Sequence, residues 1–174
     1  MEFWILGPLE VTSGGQRVEI GYTKQQVVLG ALLLYANRVV PRERLIDELW
    51  DDSPPPSAAK LIQGYVSGLR RVLGRDAIVT RSGGYLVRVD PERLDAARFE
   101  RLVAEGRACR DDPELAAKRL GSALGLWRGS PLAGLPLRSS ARHELTRLAE
   151  QRLTALEERI DAELAVGRHH ELVG

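Results

Sequence analysis

One cysteine in 174 residues leaves no material for a disulfide framework, so the chain does not read as a small secreted scaffold. No apolar run approaches the ~20 residues of a membrane span. The N-terminus lacks the basic stretch, apolar segment and small-residue cleavage site of a signal peptide, which makes a cytoplasmic, nucleoid-associated location the expectation. Catalytic signatures are also missing: there is no GxxxxGK[ST] phosphate loop, no GxSxG elbow, no HExxH and no Cys/His cluster at metal spacing. Adjacent His169 and His170 would alternate faces on a regular helix, and Asp111–Asp112 reads as a helix boundary rather than an acid/base pair. Cys109 lies on an expected helix without a partnered histidine, which suits a packed or idle thiol. The expectation is a non-enzyme without cofactor or metal. A hydrophobic content of 44% is ample for a core.

What is present is a local imbalance of charge. The net charge is only +1, yet residues 60–88 hold Lys60, Arg70, Arg71, Arg75, Arg81 and Arg88 against the single acid Asp76, while residues 41–59 hold two arginines against five acids. A protein that binds nucleic acid needs such a local basic footprint more than a high global charge, because counterions are released at the contact surface. The basic stretch includes a run, Ser57 to Leu73, with helical periodicity. At about 100° per residue, Gln63, Gly64, Ser67 and Arg71 cluster on the side of Lys60, whereas Ala58, Ile62, Tyr65, Leu69 and Val72 fall opposite. Ser57 is placed as an N-cap and Gly74 as a C-cap. An amphipathic helix normally turns its polar face to water for no further reason. This face, however, carries no carboxylate, its small members Gly64 and Ser67 permit close approach to bases, and Lys60, Arg70 and Arg71 supply charges for phosphates.

Along the chain, Glu2–Val11 reads as a strand, Ser13–Gly15 as a turn and Gln16–Ile20 as a second strand. A helix capped by Thr23 runs to about Ala36, and a short one over Arg42–Trp50 puts Leu45, Ile46 and Leu49 on one side. Pro54–Pro56 ends that helix and leads into the Ser57 run. Ile78–Thr80 and Tyr85–Val89 form a hairpin through Arg81–Gly84. From Asp95 the pattern is helical throughout. Phe99, Leu102 and Val103 form one face, Ala117, Leu120, Leu124 and Trp127 a second, and Leu145, Leu148, Leu153, Leu156, Ile160 and Leu164 a third. Asp112–Pro113 opens the middle helix as N-cap and N1 proline. Residues 128–140 are a loop, and residues 169–173 look like the start of another helix.

The stretch VVPRERLIDELWDDSPPPSAAKLIQGYVSGLRRVLG, followed by GGYLV, resembles the OmpR-type winged helix-turn-helix, and more closely the version that opens the Streptomyces antibiotic regulatory proteins. The resemblance covers Met1 to about Val89. It implies that Arg42, Trp50 and Tyr85 touch phosphates, that Lys60, Gln63, Gly64, Ser67 and Arg70 face the major groove, and that Arg81 reaches the minor groove. Arg71 joins the DNA-binding set as a phosphate contact on the basic face. This chain has Tyr65 and Gly68 where many relatives place Arg or His. Plainer readings stand beside these: Trp50 and Tyr85 as core aromatics, and Arg42 and Arg44 in surface pairs with Glu43, Asp47 and Glu48. The acidic loop with Asp51, Asp52 and Ser53 matches a surface that in such proteins faces RNA polymerase or its sigma factor; a stiff polar linker is the alternative.

The second half is similar to the bacterial transcriptional activation domain, chiefly through ALGLWRGSPLAGL at Ala123–Leu135. The expected architecture is an α+β winged helix-turn-helix domain over residues 1–91 followed by an all-α, tetratricopeptide-like helical domain over residues 92–174. The second domain is expected to be incomplete, leaving exposed an apolar face that later helices would cover. The resemblance implies a transcriptional activator of an antibiotic or secondary-metabolite cluster, bound as a homodimer to direct repeats in double-stranded promoter DNA, with no membrane partner. A helical protein-interaction adaptor without specific DNA binding is the competing reading.

Overall fold

The computed structural model describes residues 1–50, 52–109 and 111–167, with only the backbone of Ser139 and Ser140. The helix expected at residues 169–173 lies outside the described residues. The chain opens with an antiparallel sheet of β1 (Glu2–Trp4), β2 (Glu10–Ser13) and β3 (Gln16–Arg17), in which Phe3 lies opposite Val11 and Thr12 opposite Arg17. The single strand expected over Glu2–Val11 is thus two. The reason lies far away in sequence: Ile5 and Leu6 turn their backbone groups toward the helical half, and both side chains are buried.

Helix α1 (Thr23–Leu34) is buried continuously from Val27 to Leu33. It is followed by β4 (Val40–Pro41), α2 (Arg42–Trp50), α3 (Ala58–Leu73) and the hairpin β5 (Ile78–Arg81) and β6 (Gly84–Val87). The second sheet has the order β4-β6-β5, so the wing is a three-stranded sheet rather than a bare hairpin. The two-residue β4 carries no periodicity to betray it. Gly84 is required here, because a Cβ at that position would sit 2.2 Å from the Val40 carbonyl oxygen. Asn37 links α1 to the end of β6 from a left-handed backbone (φ 64°), a conformation that asparagine tolerates. Its side chain donates to the Val89 carbonyl at 2.8 Å and accepts from the Val89 amide at 3.0 Å.

A 3-10 turn at Pro91–Arg93 leads into α4 (Asp95–Ala108), α5 (Pro113–Leu124) and α6 (Ser139–Ala165), which pack in sequence order. Asp112 caps α5 as expected, accepting from the Leu115 amide at 3.0 Å. Phe99 meets Trp127 edge to face, with ring centroids 5.3 Å apart. The 128–140 loop lies against α1, where a Cβ at Gly30 would press on Leu132 and Leu135 at 3.3 Å. On α6 the buried hydrophobic residues are Ala141, Leu148 and Ala155, Glu163 is buried as well, and Leu153, Leu156 and Leu164 are exposed. The face expected to be apolar core therefore only partly packs: α6 turns Ala155 and Glu163 inward near α4 and α5, to which Glu158 and Arg159 reach, and leaves those three leucines in solvent.

One core runs through both halves, from Phe3, Leu29, Ile62 and Val87 to Phe99, Leu120 and Leu148. Two buried carboxylates join them. Glu48 on α2, expected to be a surface partner for arginine, is 1% exposed and accepts from the Arg138 amide at 2.7 Å and the Ala141 amide at 2.5 Å. It supplies an acceptor for the first turn of α6, whose own N-cap residue offers no side-chain bond. Asp95 at the start of α4 accepts from the amides of Ile5, Leu6 and Ala96, each at about 2.8–2.9 Å.

Replacing Glu48 by Ala should cost about 1–3 kcal/mol in urea denaturation, since it strands buried amides. A smaller change than that of an exposed-site control would refute the capping role. Burial pushes the Asp95 carboxyl above its ordinary value, against the opposing pull of the Ile5, Leu6 and Ala96 amides and of Arg128. The folded state then holds this proton more tightly than the unfolded chain. The associated stabilisation is present below the unfolded value of 3.8 and is lost as pH rises through the folded value. Asp95→Asn removes that dependence, so wild type should lose stability relative to the variant as pH rises from about 4. Parallel stability curves would contradict it.

Candidate nucleic-acid interface

Helix α3 separates its two faces as its periodicity requires. Ala58, Ile62, Val66, Leu69 and Leu73 are buried, while Lys60, Gln63, Gly64, Ser67 and Arg71 are exposed on the other side. Tyr65 is half-buried, and Val72, expected to be buried, is 37% exposed beside the C-terminal end. Gly64 has open space where a Cβ would go. The helix start differs from the expectation: Ser57 makes no side-chain cap, and the Ala58 amide instead donates to the Pro55 carbonyl at 2.9 Å. Gly74 does adopt positive φ, 101°, and its amide donates to the Arg70 carbonyl.

Gly68 has a packing reason. A Cβ there would lie 2.3 Å from the Gln25 side-chain nitrogen, so the carboxamide from α1 occupies the space. An Arg or His at this position would have to displace Gln25.

Two sequence-selected residues are engaged by the protein itself. Arg70 donates through Nε to the Ile78 carbonyl and through Nη2 to Thr80 Oγ1, both at 2.8 Å, pinning β5 to α3. Tyr85 is 3% exposed and sits in the core, across the ladder from Val40 and Thr80. The remaining positions are accessible to different degrees. Arg81 is exposed beside the Ser82–Gly83 turn, where Gly83 takes φ 76°. Arg42 is half-buried, its amide donates to the Gly83 carbonyl at 2.9 Å, and its buried Nε has no hydrogen-bond partner among the described residues. Trp50 is half-buried, and Lys24 Nζ stands 4.7 Å from its ring centroid. Asp52 and Ser53 are exposed, and Asp51 lies outside the described residues.

Lys24 was not among the residues chosen from sequence. Its signal was nonetheless there: a cation in the first turn of α1, where the helix dipole disfavours positive charge and no acidic residue compensates. A cation kept at an unfavourable place, against an aromatic ring, marks a surface where positive charge has another use.

Comparison with known proteins covers both this region and the helical half. The family described as transcriptional regulatory protein, C terminal, matches residues 15–87, and the bacterial transcriptional activator domain matches residues 94–174. The regulatory protein DnrI of Streptomyces peucetius is 40% identical over 99% of this chain and 68% of its own length. The chain belongs to the Streptomyces antibiotic regulatory protein family. The regulatory protein AfsR of Streptomyces griseus is 37% identical over 99% of this chain, which spans only 18% of AfsR. Among solved structures, Mycobacterium tuberculosis EmbR in complex with a low-affinity phosphopeptide superposes with a TM-score of 0.90 at 32% identity, covering 98% of this chain and 47% of EmbR. The Streptomyces antibiotic regulatory proteins are transcriptional regulators rather than enzymes, and the winged helix-turn-helix followed by helical hairpins is their architecture here. No helix among the described residues is long and apolar enough to cross a membrane.

The two neighbouring arginines of α3 should behave differently. Arg70→Ala removes both bonds to β5 and should lower stability by about 1–2 kcal/mol while speeding amide exchange in the wing. Arg71→Ala should leave stability within about 0.5 kcal/mol. Equal losses for the two in urea denaturation would overturn this division.

Proposed function

We propose that the chain is a sequence-specific DNA-binding transcriptional activator of an antibiotic or secondary-metabolite gene cluster. Residues 1–91 bind double-stranded promoter DNA, and residues 92–174 form the activation half. The observation that carries this reading is the exposed, carboxylate-free face of α3, with Lys60, Gln63, Gly64, Ser67 and Arg71 turned away from the core and Arg81 exposed on the adjacent wing. A helix of this shape fits the major groove, where Gln63 and Ser67 read base edges and Lys60 and Arg71 hold register on the duplex. Arg81 enters the minor groove, where narrow A·T-rich segments concentrate negative potential. Arg42, Lys24 and Trp50 extend the phosphate-binding surface along α2 and the start of α1, while Arg70 and Tyr85 hold the wing in place.

In this reading two copies occupy direct repeats as a homodimer, and the loop at Asp51, Asp52 and Ser53 faces RNA polymerase or its sigma factor. The acidic pair suits a basic partner surface. The protein then acts on the nucleoid in the cytoplasm.

A salt titration tests the DNA-binding core of the proposal. With four or five phosphates neutralised per protomer, log affinity should fall with log salt at a slope near −4, read by fluorescence anisotropy on promoter fragments located by footprinting. Failure to detect salt-sensitive binding would leave the helical adaptor as the better description. Gly64→Ala separates groove contact from fold. The added methyl meets no protein atom and should raise helix stability by up to about 1 kcal/mol, yet it should weaken operator binding where the backbone approaches a base or phosphate. A variant both more stable and equally tight would place Gly64 away from DNA.

A further inference from the structure

The junction of the two halves contains a cleft of about 610 Å³ between the end of α1, the segment after β6, and helices α4 and α6. This volume lies in the range of small-molecule sites. The apolar lining comes from both halves, with Ile5, Leu33 and Val89 on one side and Phe99, Val103 and Leu148 on the other. Most polar groups around it are already committed. Arg147 bridges Glu100 at 2.8 Å and also binds Glu144, Arg107 pairs with Glu158 at 2.9 Å, and Asn37 is tied to Val89. Two are not. Gln151 Oε1 on α6 is buried without a hydrogen-bond partner, and exposed Arg38, just beyond α1, has no ion-pair partner among the described residues.

A buried acceptor without a donor is costly unless something supplies one. An isolated guanidinium at the edge of a cleft of mixed polar and apolar lining favours an anion. We propose that this cleft binds a drug-sized amphiphilic monoanion whose apolar body fills the space between the halves, with an N–H or O–H donor to Gln151 and an acidic group to Arg38. Glu100 and Glu144 share the single cation Arg147, so this trio keeps one net negative charge and it is Arg38 that draws the acidic group. Because the walls belong to both halves, occupancy stiffens the joint between them.

The probe for this site is 1-anilinonaphthalene-8-sulfonate, which carries a fused apolar ring system, one N–H and one sulfonate. On the whole chain the proposal expects saturable fluorescence with one site per protomer. Ala104→Trp, at an exposed position of α4 lining the cleft, should weaken binding about tenfold by occupying the space. Arg38→Ala, also at an exposed position, should weaken it several-fold and abolish its salt dependence, and Gln151→Leu should weaken it without changing that dependence. The competing location is the exposed apolar stretch of α6, so the control is Leu153→Gln with Leu156→Gln. Signal lost in that control but retained in Ala104→Trp and Arg38→Ala overturns the proposal, as does a complete lack of saturable binding. Should Ala104→Trp unfold, Arg38→Ala decides alone, and undiminished affinity in that variant refutes the anion subsite.

Discussion

Two buried carboxylates exchanged between the halves set the geometry of this protein. Glu48 leaves α2 to satisfy the opening amides of α6, while Asp95 at the head of α4 satisfies the amides of Ile5 and Leu6. A carboxylate taken out of water is stabilised only by donors in good geometry, so each one dictates where the opposite half must sit. Helix α2 packs on α3, and α6 packs on α2. The orientation of α3 is therefore referred to the helical half through short, directional bonds rather than through a flexible tether.

The same economy appears in the arginines. Arg70 and Arg71 are neighbours, but a rotation of about 100° sends one into the wing and leaves the other in solvent. Arg70 trades a possible phosphate contact for a bond that keeps β5 against α3, and Tyr85 supplies core area beneath the same sheet. In the proposed reading the surface meets DNA as a rigid body, and such internal anchors serve it because every mobile side chain adds an ordering cost to binding. Gly68 and Gln25 follow the same logic, close packing between α1 and α3 having priority over an additional basic side chain.

Where the two halves meet, packing is continuous on one side and open on the other. Leu132 and Leu135 seal α1, whereas the end of α1 and the segment after β6 leave space facing α4 and α6. A joint built from a few strong bonds around an unfilled space can be stiffened by a ligand without being remade. The proposed site lies along α6 from Glu144 to Gln151, beyond the turn that Glu48 caps.

Helix periodicity, the α3 face, the Asp112 cap and the wing glycines were legible because each depends on neighbours within a turn or two of chain. The absence of catalytic motifs was legible for the same reason. The partners of Glu48, Asp95, Arg70 and Tyr85 were not, because what a side chain bonds is decided by what arrives beside it; Ile5 and Asp95 are 90 residues apart. Even the break between β1 and β2 obeys this rule, since Ile5 and Leu6 have strand-forming side chains and leave the sheet only because a distant carboxylate and loop claim their backbone. The two-residue β4, the displaced cap at Ser57 and the exposure of Leu153, Leu156 and Leu164 on α6 belong to the same class. The amino-acid order alone determined the elements and which α3 residues could face outward. Tertiary contact decided which cations remained free, because pairing and burial are properties of the assembled surface.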